Sequence, residues 1–185
     1  MDYTHVQITT PRLRLRPLSA IDVDRWFSMM SDAALLRHWS HEPWYSREQA
    51  EEDIAQSVGD MIRGEYLRLG MVRETDQTLI GMVIFFGHHE SSARGEIGYC
   101  LATDAQGQGY MQEALQAFIG WLKTQLGIRR LEADIHPDNL GSEKTLLRLG
   151  FQLEGLLRER WDVGGEISDS KVFGLLLAPS RTQQG

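Results

Sequence analysis

The chain has 185 residues, 42% hydrophobic and 24% charged, with a net charge of −7. That length suits one domain with a single sizeable core, and the acidic balance argues against a general nucleic-acid binder, which presents a basic face. The lone cysteine, Cys100, leaves no internal disulfide framework and no cysteine-rich metal site.

An acidic surface mildly favours a cationic substrate. The first residues lack the basic and apolar regions of a signal peptide. No apolar run approaches the roughly 20 residues that cross a bilayer. A cytoplasmic protein without a membrane partner is therefore expected, with the domain over residues 1–178 and a polar tail over 179–185.

In chain order, "RLRLR" alternates from Arg12 to Arg16 and predicts a short strand ending at Pro17. A helix follows from Ser19, with Ile21, Val23, Trp26, Phe27 and Met30 near helical spacing. "HWSHEPWYS" reads as a loop. Ser46 and Gln49 then stand at capping-box spacing for a helix that runs to about Arg63 and stops at Gly64. "YLRLGMVRE", "TLIGMVIFFGHH" and "RGEIGYCLA" are three strands separated by turn-like breaks, close enough for an antiparallel meander.

The next helix carries Met111, Ala114, Leu115, Phe118, Leu122 and Leu126 on one face and stops at Gly127. "IRRLEADIH" is a strand. "DNLGSEKTLLRLG" is a compact helix capped by Asp138 or Asn139 and stopped by Gly150. Two last strands flank Gly164-Gly165, a hairpin signal. This order predicts one α+β domain, a mixed α/β layer. His88 to Glu90 reads as a solvated turn rather than a metal site, because adjacent side chains on a strand end point to opposite faces.

"DAQGQGYMQEALQAF" places two glycines where a helix should nucleate, although glycine costs roughly 1 kcal/mol in a helix. One reading is a tight strand-to-helix turn. The other is an anion cradle: unpaired N–H groups converge at a helix start, and Gly107 and Gly109 permit positive φ and close approach of a phosphate. The Lys-Ser/Thr of a Walker A loop is absent, since Tyr110-Met111 stands there, and Gln112 replaces the third glycine of a Rossmann loop. The missing lysine disfavours an ATP-binding module.

"QGQGYMQEAL" resembles the acyl-CoA loop of the GNAT N-acetyltransferase superfamily, Gln/Arg-x-x-Gly-x-Gly/Ala. Gln106 fills the first position, Gly109 the glycine, and Met111 the place of the usual Gly or Ala. "GYMQEAL", the entry "TPRLRLRPLSAIDVDRW", the strand "EIGYCLA" and the block "NLGSEKTLLRLGFQLEG" together resemble the RimJ/RimL branch of ribosomal-protein N-terminal acetyltransferases over nearly the whole chain. The resemblance implies the GNAT fold, with about seven mostly antiparallel strands splayed at "EIGYCLA" and "LEADIH". It also implies acetyl-CoA as co-substrate, no metal, and direct acetyl transfer to a primary amine by a monomer or homodimer. The acceptor is a protein N-terminal amine or a small amine such as a polyamine, amino sugar or amino acid. A non-catalytic acyl-CoA-binding module is the alternative that a cradle blocked by Met111 would favour; Ser142 and Asn139 argue against it.

By the same resemblance, the coenzyme contacts Gln106, Gly107, Gln108, Gly109, Tyr110 and Met111, the Asn139 side chain, and the backbone of Cys100 and Leu101. Ser142 donates to the thioester sulfur, or else is a first-turn serine satisfied by its own backbone. Glu96 serves as base through water, or else faces solvent on an alternating strand, with Glu159 as competitor. Trp39, Trp44, Tyr45 and Trp161 stand at the acceptor, as cation-binding aromatics or as hydrophobic anchors for a loop.

Overall fold

The computed structural model describes residues 1–177, so the tail expected at 179–185 lies outside the described residues. The strands are β1 (Ile8–Thr9), β2 (Leu13–Arg16), β3 (Leu67–Arg73), β4 (Leu79–His89), β5 (Arg94–Leu101), β6 (Arg130–Ile135), β7 (Gln152–Val163) and β8 (Glu166–Leu176). The helices are α1 (Val23–Met30), α2 (Ala33–Leu36), α3 (Arg47–Arg63), α4 (Tyr110–Gln125) and α5 (Leu140–Arg148). One sheet holds all eight strands in the order β1-β2-β3-β4-β5-β6-β8-β7.

Local sequence accounts for most of these elements. Leu13 and Leu15 of β2 are fully buried while the alternate arginines reach outward, as a half-buried strand requires. Arg16 meets Asp22 through two hydrogen bonds of 2.7 and 2.8 Å, fixing the short 3-10 turn that leads into α1. The Ser46–Gln49 capping box is formed at the start of α3, and the helix ends at Gly64 as expected. Ala50, Ile54, Ser57 and Met61 are its buried stripe, at helical spacing. Two small elements depart from expectation. β1 has only two residues, and the four-residue α2 lies ahead of the "HWSHEPWYS" loop, in a stretch for which the sequence predicts no element; its N-cap Asp32 accepts from the Ala34 amide at 2.9 Å. Neither has enough residues for a hydrophobic period to show.

Both alternations of β3 and β4 are largely buried, so both sheet faces are covered. Phe85, Phe118, Phe151 and Phe173 are among the largest fully buried side chains. Each such burial contributes about 1.5–3 kcal/mol.

The expected meander is present: β3 pairs β4, and β4 pairs β5, both antiparallel. β5 and β6 form the one parallel pair, matched only over Arg94↔Arg130, Gly95↔Leu131 and Glu96↔Glu132. Beyond Glu96, β5 stays with β4 as far as Leu101, and β6 stays with β8 as far as Ile135. The two strands separate there, and the resulting wedge opens the centre of the sheet.

Candidate active site

Three structures meet at the wedge: the loop before α4, the exposed inner edge of β5, and the N-terminus of α5. The loop adopts left-handed φ at Gly107 (75°) and Gly109 (79°), which side-chain-bearing residues rarely occupy. A Cβ at Gly107 would enter open space, with no atom within 4 Å. Gly109 is the N-cap of α4 and supplies no side-chain cap. The first bond into the helix runs from the Glu113 amide to the Gly109 carbonyl at 3.1 Å. The amides of residues 108–112 therefore have no partner among the described residues. Unpaired donors, a positive helix end and the open space beside Gly107 suit an anionic phosphate. Met111 does not crowd that space, because its side chain is buried in the hydrophobic core, as is that of Tyr110.

On β5, backbone direction alternates. The Ala102 amide donates to Ile80 of β4 at 2.8 Å, so Cys100 likewise turns its N–H and C=O toward β4, opposite Met82. The expectation for Cys100 is corrected on this ground. The groups aimed into the wedge belong to Ile97, Tyr99 and Leu101. The Leu101 carbonyl accepts from Gln106 Nε2 at 3.1 Å, which folds the loop back onto the strand. The Cys100 thiol is wholly buried, and burial pushes it up to about 12, which leaves it inert.

Asn139 caps α5, its Oδ1 accepting the Ser142 amide at 3.0 Å. That leaves the Asn139 amide nitrogen for another partner. The Ser142 hydroxyl has no partner among the described residues, so the reading of a serine satisfied by its own backbone is not realised. The Tyr99 hydroxyl reaches the Ser142 carbonyl at 3.4 Å, and burial pushes it up to about 12.

Glu96 stands on the cleft side of β5, between Phe86 of β4 and Glu132 of β6. It is half-buried rather than solvated, and its carboxylate has no hydrogen bond or ion pair among the described residues. Burial raises its pKa above the ordinary carboxylate value, and the nearby charges of Glu132 and Asp134 add to the rise. The other carboxylates nearby are engaged. Asp53 accepts from Arg68 at 2.7 Å and from Trp26 Nε1 at 2.8 Å; Glu132 meets Arg130 at 2.8 Å; Asp134 accepts from Ser170 and, at 3.3 Å, from Trp161 Nε1. Glu159 is elsewhere, at a bulge of β7 with φ 52°, its amide bound to Asp169.

Glu96, Tyr99, Asn139 and Ser142 border a cleft of about 640 Å³, which the loop before α4 does not line. Trp39, Trp44 and Trp161 line the same cleft. Tyr45 does not: it is 80% exposed and outside the cleft, because the chain turns outward as it enters the Ser46 cap. Sequence reasoning missed Tyr99, His38 and His136. The two imidazoles stack at 4.7 Å across the cleft wall, joining the loop after α2 to the end of β6. No local pattern marks that pair, since its members are far apart in sequence. Tyr99 lay in view within "EIGYCLA", but alternation alone assigns it to the face opposite Glu96; the strand separation is what brings it to Ser142.

A family model described as an acetyltransferase (GNAT) domain matches residues 12–152. The uncharacterised N-acetyltransferase p20 of Bacillus licheniformis is 35% identical over 90% of this chain and 94% of its own. A solved Vibrio cholerae protein, assigned provisionally as a ribosomal-protein-serine acetyltransferase, superposes with a TM-score of 0.84 at 30% identity, covering 94% of this chain and 99% of that one. RimL, a ribosomal L7/L12 α-N-protein acetyltransferase solved with coenzyme A, gives a TM-score of 0.83 at 22% identity, covering 93% and 98%.

Proposed function

Because the chain belongs to the GNAT acetyltransferase family, we propose that this acetyl-CoA-dependent enzyme acetylates the α-amine at a protein N-terminus, by direct transfer at the wedge between β5 and β6. The observation that carries the reading is that Ser142 and Glu96, whose hydroxyl and carboxylate have no partner among the described residues, line one cleft, while the loop that carries the free helix-start amides is tied by Gln106 to the end of β5, the strand that bears Glu96. Acetyl-CoA supplies an acyl group already activated as a thioester. The chain's own residues supply position and proton traffic.

The amides of residues 108–112 hold the diphosphate, with Gln106 and Asn139 along the arm. The inner edge of β5 pairs with the pantetheine amides as a strand would, and its N–H groups face the charge that develops on the acetyl oxygen. Glu96 accepts, through water, the proton that the attacking amine must lose. A thiol near pKa 8.5 leaves readily as thiolate. Ser142 therefore needs only to donate a hydrogen bond to the sulfur, and Tyr99 supports the helix turn that presents it.

A carboxylate base favours an α-amine over a lysine-like amine. An α-amine titrates near 7.9 and a lysine near 10.4, so a single carboxylate deprotonates the α-amine at about 3.4 kcal/mol less cost. Trp39, Trp44 and Trp161 then pack against the first side chains of the acceptor. A screen of N-terminal peptides beside polyamines, amino sugars and amino acids, with product masses and free thiol as readouts, tests this. Turnover confined to small amines would replace the protein N-terminus as acceptor, and thiol release with none of them would leave the non-catalytic reading.

A further inference from the structure

Glu113 of α4 faces the turn between β1 and β2. Its Oε1 accepts from the Thr10 hydroxyl at 2.6 Å and from the Arg12 amide at 2.9 Å, and its Oε2 from Arg12 Nε at 2.5 Å. Arg12 does two further things. Its Nη1 donates to the Gln108 carbonyl at 2.9 Å, and its guanidinium lies over the Tyr110 ring at 4.5 Å. The remaining nitrogen, Nη2, has no partner among the described residues and sits 3.6 Å from where a Cβ of Gly109 would be.

This arrangement bears on the helix start. An α-helix continues upstream when the carbonyl of residue i accepts the amide of residue i+4. Here the left-handed Gly109 stops the helix, and Arg12 holds the Gln108 carbonyl, the one acceptor through which the Gln112 amide could be drawn into a further turn. Glu113 is a first-turn acid that suits the helix dipole but would repel a diphosphate at the same end. Arg12 neutralises it at contact distance and leaves a positive edge beside Gly109. Burial works against the charged form of Glu113, but its bonds to Thr10 and Arg12 outweigh this and hold its carboxyl below the ordinary range.

We propose that Arg12, locked by Glu113 and Thr10, is a positioning residue for the diphosphate of coenzyme A: it holds the Gln108 carbonyl away from the Gln112 amide and offsets the Glu113 carboxylate, which would repel the ligand. The inference rests on the reading that the coenzyme binds at this loop.

The test compares a ligand with the diphosphate and one without it. Calorimetry with coenzyme A should show Kd rising at least tenfold in Arg12→Ala. The kcat/KM for acetyl-pantetheine, which has the thioester but no diphosphate, should stay within twofold of the parent. Arg14→Ala, which removes the next outward arginine of β2 and its contacts with Glu74 and Gln77, should leave coenzyme affinity unchanged. If Arg12→Ala does not fold, Arg12→Lys replaces it, because an ammonium keeps the charge but cannot bond Glu113 and Gln108 while stacking on Tyr110. Its coenzyme Kd should rise severalfold, again without effect on acetyl-pantetheine. Equal losses for both ligands would reduce Arg12 to a structural brace, and unchanged coenzyme affinity would overturn the proposal. A parent protein that does not bind coenzyme A would instead overturn the reading beneath it.

Discussion

Replacing Gly107 by alanine separates a cradle from a mere turn. In the free protein the added methyl meets nothing within 4 Å, so the native state bears no clash, only the cost of a left-handed alanine at φ 75°. That cost is about 1–2 kcal/mol, or a Tm loss of about 2–8 °C for a domain of this size. Gly127, at the opposite end of α4, is a matched control: φ is 65° and its Cβ would also enter open space. Gly107→Ala and Gly127→Ala should thus lose similar stability in thermal melts. They should differ in calorimetry. A methyl in front of α4 displaces at least one charge-assisted contact to phosphate, worth about 1.5–3 kcal/mol, so the coenzyme Kd should rise about 10- to 150-fold in Gly107→Ala alone. Equal coenzyme affinity in the two variants would refute the cradle and leave the glycines as turn residues.

Glu96→Gln should lower kcat by about 10²- to 10⁴-fold and remove the acidic limb from the pH–rate profile. It should also raise Tm at pH 7. The native pKa lies above the ordinary value of 4.5, so the ionised form is disfavoured in the fold, and the penalty grows as pH rises through that window. Near pH 4 the variant should gain nothing in thermal melts. Ser142→Ala loses a hydrogen bond to a developing thiolate, so kcat should fall about 10- to 150-fold while calorimetry shows coenzyme affinity within twofold. Trp39→Ala should raise the acceptor KM at least severalfold, whereas Tyr45→Ala, outside the cleft, should leave it unchanged in the same steady-state assay.

The parts of the site readable in sequence are those built from contiguous residues. The glycine loop, the Asn139 cap with Ser142 three positions on, and the Ser46 capping box each depend on backbone geometry that a few neighbouring residues dictate. The element order was legible for the same reason, since caps, stops and periodicity are local. What escaped was assembled across the sheet. Whether Glu96 faces water depends on the segments that cover it from α1 to the loop before α3, and its isolation depends on Arg130 and Trp161 engaging the neighbouring acids. Cys100 shows the limit in another form. Its place in the strand was right, but the direction of its backbone groups follows from the β4 register, which a single strand does not encode. Arg12 looked like one more outward arginine of an alternating strand until α4 came to rest beside it.

A crystal structure of the protein with coenzyme A tests the central claim most directly. Diphosphate oxygens should lie at about 2.7–3.2 Å from amides within residues 108–112, with the pantetheine arm along Ile97 to Leu101. A diphosphate held anywhere else, with those amides still unpaired, would contradict it.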